Sequence, residues 1–69
     1  MAKITLAAAR VNSGLTQEQM ADKMGVSRTS IIQWETGKKE IRPVYLYAFC
    51  HITGFSEDDI LLPEVSTEQ

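Results

Sequence analysis

The sequence holds a single cysteine, so an intrachain disulfide is impossible and a reducing, cytoplasmic compartment is the expected home. It holds a single histidine, His51, with no clustered partner, so no metal site is expected. No stretch approaches the roughly 20 apolar residues of a membrane span. Ala2–Ala9, with Lys3 as its only positive flank, is too short and too weakly apolar for a secretory leader. No nucleophile, base and orienting group stand together, and no glycine-rich loop is built to cradle a phosphate. These absences point away from an enzyme, a cofactor, a small-molecule ligand and a membrane. No alternating strand pattern, internal repeat or low-complexity block is visible, and 69 residues suffice for one domain with a simple core.

An excess of positive charge is also lacking: the formal net charge is −2. Its distribution is uneven. Residues 1–55 carry all seven Lys and Arg against four acids, whereas residues 56–69 carry five acids and no base. That asymmetry suits a basic working face with an acidic end pointing elsewhere. It equally suits an ordinary mixed surface with a solvated tail, and charge alone does not choose between them.

What is present is helix punctuation. Thr5 caps a first helix running to about Asn12, with Leu6, Ala9 and Arg10 on one face and Gly14 as the stop. Thr16 caps a second helix, and Gln19 has the spacing to complete a capping box. Met20, Ala21 and Met24 form its apolar face, and Gly25 ends it. Ser27 caps a third helix, in which Ile31 and Trp34 face inward, followed by a polar loop over Thr36–Glu40. Pro43 opens a fourth helix with a buried stripe of Leu46, Phe49, Cys50 and Thr53, closed by Gly54. Ser56 caps a short fifth helix whose acids Glu57, Asp58 and Asp59 suit its N-terminal dipole. Ile60 and Leu61 anchor it and Pro63 stops it. The expectation is an all-α, compact five-helix domain over residues 1–63, with a flexible acidic tail over 64–69.

The informative stretch is Thr16 to Gly37. Two helices joined by a turn as short as Gly25-Val26 must cross steeply. Ala21 lets the second approach the first, Gly25 accepts positive φ, and Val26 and Ile31 cover the corner. This is helix-turn-helix geometry, with the unit over about 16–36.

Leu15-Thr16-Gln17 at the start of this unit, Gly25-Val26-Ser27 at its turn and Ile31-Ile32-Gln33-Trp34-Glu35-Thr36-Gly37 at its end closely resemble the lambda-repressor-like, XRE-type family of Cro and repressor domains. The likeness extends through Gly54-Phe55-Ser56 and Ile60-Leu61, nearly the whole chain. The resemblance implies a lambda-repressor-like fold and a sequence-specific DNA-binding regulator. It also implies that the recognition helix, residues 27–36, lies in the major groove of double-stranded operator DNA.

Arg28, Thr29, Ile32 and Gln33 share the helix face opposite Ile31 and Trp34. Gln33 can bond adenine through both amide atoms, Arg28 can bond guanine or hold a phosphate, and the methyl groups of Thr29 and Ile32 suit thymine. The resemblance places base readers at 28, 29 and 33; the plainer alternative is a solvated helix face. Thr16 and Gln17 open the second helix, where free N–H groups favour a phosphate. The resemblance assigns Gln17 to the DNA backbone. Thr36, Lys38, Lys39 and Arg42 follow the recognition helix and can grip phosphates, although loop lysines are as often merely solvated. Arg10 and Glu35 sit on inward-facing sides, and the resemblance implies a structural ion pair between them. Trp34 is expected in the core rather than stacked on a base, and Cys50 as an apolar filler rather than a nucleophile.

The competing reading is an antitoxin-like or other protein-interaction module on the same fold, using the acidic tail and an exposed Tyr45 or Tyr47. For a DNA binder, a weak homodimer formed or strengthened on DNA is expected. Leu62, Val65 and a tyrosine of the fourth helix are its spare apolar contacts.

Overall fold

The computed structural model describes residues 3–64. The chain runs β1 (Ile4–Thr5), α1 (Leu6–Asn12), α2 (Gln17–Met24), α3 (Arg28–Thr36), α4 (Pro43–Thr53), one 3-10 turn (Glu57–Asp59) and β2 (Ile60–Leu61). Three helices begin where a hydroxyl takes an otherwise orphaned backbone N–H: Thr5 from Ala8, Thr16 from Gln19 and Ser27 from Ser30. At α2 the capping box is complete, because the Thr16 N–H also donates to Gln19 Oε1 at 2.9 Å. α4 has no side-chain cap; Pro43 in its first turn has no N–H to satisfy, and the Arg42 carbonyl accepts from Tyr45 and Leu46.

Five helices were expected from the sequence, and the described residues contain four. Ser56 does cap the next segment, its Oγ accepting from the Asp58 N–H at 3.1 Å, but only a single 3-10 turn follows. The backbone then becomes extended at Ile60 (φ −92°, ψ 128°). Two causes act together. A helix of so few residues cannot repay the cost of its nucleus, and Pro63 disfavours helical backbone at Leu62. The extended stretch instead pairs in parallel with the segment entering α1, Ile4 opposite Ile60 and Thr5 opposite Leu61. The expected fifth helix is therefore replaced by this short strand pair, and the described residues remain mostly helical. Its partners stand 56 positions apart in the sequence, and the helical body serves as the long crossover that parallel strands need. Ile60 is buried as expected, whereas Leu61 is half exposed to solvent.

The core draws on every helix: Leu6 and Ala9 of α1, Met20 and Ala21 of α2, Ile31 of α3, and Phe49 and Cys50 of α4. Ile60 joins from β2, and Ile41 from the loop before α4, where the sequence offered no periodicity to mark it. Trp34 and Leu46 pack against this cluster but are only partly buried. Val65–Gln69, which include the expected apolar contact Val65 and most of the expected tail, lie outside the described residues, as do Met1 and Ala2.

Candidate nucleic-acid interface

α2 and α3 make the most extensive contact between any two elements. Gly25 caps α2 in the left-handed region (φ 72°, ψ 31°), and the Val26 N–H returns to the Ala21 carbonyl at 3.0 Å, which closes the turn. Met20 and Ile31 are fully buried on either side, and each contributes roughly 1.5–3 kcal/mol of apolar burial. Ala21, also buried, leaves room for α3 to approach. α3 is therefore clamped along one face.

The opposite face of α3 is open. Arg28 and Thr29 in its first turn are exposed, and Ile32 and Gln33 one turn later are half-buried. Ile32 and Gln33 line an open depression of about 540 Å³ with Thr36, Gly37, Lys38 and Glu64. Exposed Lys38, Lys39 and Arg42 follow the end of the helix. The structure thus gathers Arg28, Thr29, Ile32 and Gln33 on one helix and sets the three cations in the segment after it.

Three of the residues expected at phosphates have side chains bonded within the protein. Thr16 is held by the capping box. Thr36 Oγ1 donates back to the Ile32 carbonyl at 2.9 Å, so its proton points into its own helix. Gln17 is half-buried: its Nε2 donates to Glu35 Oε1 at 3.1 Å, and its Oε1 accepts from Arg28 Nη2 at 3.5 Å.

Those bonds extend an ion pair. Arg10 Nε donates to Glu35 Oε2 at 2.6 Å, Arg10 Nη2 donates more weakly to Glu35 Oε1, and Arg10 Nη1 donates to the Leu15 carbonyl at 2.8 Å. The two side chains are only 12% and 7% exposed, and this is the one salt bridge among the described residues. A continuous polar chain therefore runs from α1 through Glu35 and Gln17 to Arg28. Gln17 acts as a bridge between the buried pair and the open face of α3, a role its sequence position did not reveal. The only signal was its amide, which can both donate to Glu35 and accept from Arg28.

Trp34 lies beside Tyr45 of α4, ring centroids 5.2 Å apart and tilted by 31°. This packing occupies Tyr45 and leaves Tyr47, 71% exposed, as the free tyrosine of α4. Cys50 is buried, and its thiol pKa is raised by burial first and by the nearby carboxylates Glu57 and Asp59 after it. The thiol is thereby kept in its protonated, unreactive form. Among the described residues, no group of three or more His, Cys, Asp and Glu could hold a metal ion, and no helix is long and apolar enough to cross a membrane.

A family model for helix-turn-helix domains matches residues 6–60, most of the chain. No curated protein matches it. The matched span begins at the first helix and ends at β2, taking in the α2–α3 unit, the polar chain that braces it and the open face of α3. The chain belongs to the XRE-type, lambda-repressor-like helix-turn-helix family, a family of DNA-binding regulators.

Proposed function

We propose that the protein is a sequence-specific transcription regulator of the Cro and repressor kind, which lays α3 in the major groove of operator DNA. The observation that carries this reading is the division of α3. One face is locked into the core through Ile31, and the other presents Arg28, Thr29, Ile32 and Gln33 side by side. A groove-reading helix needs such rigid mounting, because base-edge hydrogen bonds tolerate little misplacement. Arg28 and Gln33 supply groups for guanine and adenine, and Thr29 and Ile32 supply methyl contacts for thymine. Lys38, Lys39 and Arg42 hold phosphates beyond the helix. The backbone N–H groups opening α2 serve a phosphate on the other side, since the side chains of Thr16 and Gln17 are already bonded. The reading assigns the chain no reaction and no cofactor.

A second reading, a module that grips a partner protein, draws on α4. Val44 and Tyr47, three positions apart on that helix, are 67% and 71% exposed there. A salt titration against random duplex DNA separates the two. A DNA binder weakens steeply as salt rises, because phosphate contacts release counterions. A module that grips only protein shows no such binding at any salt.

A further inference from the structure

The chain leaving β2 crosses the C-terminal end of α3. Gly37 caps that helix at φ 82°, and a Cβ placed on it would lie 2.7 Å from the Glu64 carbonyl oxygen and 3.2 Å from Pro63 Cβ. Backbone contact this close requires glycine at 37. Leu62 and Pro63 form one wall of an open cleft of about 270 Å³ whose other walls include Trp34 and Ile41. The course of the chain past α3 is therefore set by its close contact with Gly37. It carries Glu64 into the depression that also holds Ile32, Gln33 and Lys38. Glu64, an exposed acid, consequently lines the same depression as residues assigned to bases and phosphates, and it makes no salt bridge to Lys38 within 4 Å.

Resting on the DNA-binding reading above, we propose that Glu64 tempers DNA affinity: its carboxylate opposes the phosphate attraction of Lys38 and holds down sequence-independent affinity for duplex DNA. Phosphate attraction does not depend on sequence, whereas base-edge contacts do. Specific and random complexes share those phosphate contacts, so a negative charge beside the grip weakens both, and random duplex reports it without any contribution from base edges. A unit charge within several ångströms of a phosphate in water alters binding on the order of three- to fivefold per protomer. The effect is largest at low ionic strength, where screening is weak.

The test is binding of random duplex DNA at low salt by the parent chain, Glu64→Gln and Glu57→Gln. Glu57 makes the equal-charge control, because it lines a cavity against α4. We expect Glu64→Gln to bind about three- to fivefold more tightly and Glu57→Gln to stay within about twofold of the parent. Lys38→Gln should weaken binding in both backgrounds by a similar factor, since the two charges act on the phosphate additively. Equal affinities for the two glutamate variants overturn the proposal, as does weaker binding by Glu64→Gln, which marks the carboxylate as an acceptor for cytosine. A parent chain that is folded but binds no duplex overturns the DNA-binding reading itself, and is distinct from both outcomes.

Discussion

Glu35 touches three other residues' fates at once. It receives Arg10 and Gln17, and through Gln17 it steadies Arg28. Glu35→Ala should therefore lower stability by about 3 kcal/mol, the lower end for breaking a buried pair from one side, because Arg10 keeps the Leu15 carbonyl. In a domain of this size that corresponds to a fall in Tm of more than about 10 °C; an unchanged Tm would show that the pair contributes nothing. Gln33→Ala should behave differently, with stability kept and discrimination lost at one base pair by about 1–3 kcal/mol. Binding to a panel of single-base variants of a selected site measures this, and uniform weakening over the panel would make Gln33 a backbone contact. At this scale the sequence was legible where one residue type has few options. An Arg and a Glu on inward faces required partners, and family resemblance implied which. Gln17 was less legible because an amide serves a phosphate, a carboxylate or a guanidinium equally well, and only folded geometry shows which stand within reach.

Helix starts and stops were readable because they are set locally. Thr16, Gln19 and Gly25 lie within ten positions of one another; the first two satisfy each other's backbone N–H groups, and the Gly25 N–H returns to Ala21 and Asp22. The segment after Ser56 was misread for the opposite reason. Its cap is local and present, but its continuation depends on Ile4, a distant partner. Ile41 was likewise silent, since it belongs to a loop and is buried by elements on both sides of it. Gly37 shows how an element boundary acquires a second constraint. Gly25→Ala should cost about 1 kcal/mol, because positive φ disfavours a side chain and nothing occupies the space beside it. Gly37→Ala should cost clearly more, since its Cβ also meets the Glu64 carbonyl and must displace the exit segment from α3. Chemical denaturation of the two variants compares them directly, and equal losses would mean that the exit segment is not held against the helix.

As a whole, the molecule is a rigid mount for one helix face, tied where its ends meet by β1 and β2. One such face reads only a few base pairs, too few to mark a site in a genome, so we infer a homodimer on a near-palindromic operator. The longest dimension of the protomer is 35 Å, close to the roughly 34 Å between half-sites one duplex turn apart. Two copies so spaced meet at their edges, and the exposed apolar side chains are scattered over several elements: Val11 on α1, Val44 and Tyr47 on α4, Leu61 on β2 and Leu62 after it. Such an interface falls under about 1,200 Å² in total, in the weak class. Sedimentation should accordingly show monomers at low micromolar concentration and two copies on a symmetric site; a tight dimer without DNA would contradict the small interface.

The central claim is that the open face of α3 reads DNA sequence. Selection of bound duplexes from a random pool, with folding of the protein verified by its melting transition, tests it most directly. The expected result is enrichment of a short motif repeated in inverted orientation, its half-sites about one helical turn apart. A folded protein that enriches no motif, or one whose enriched motif is unchanged by Gln33→Ala and Arg28→Ala, would contradict it.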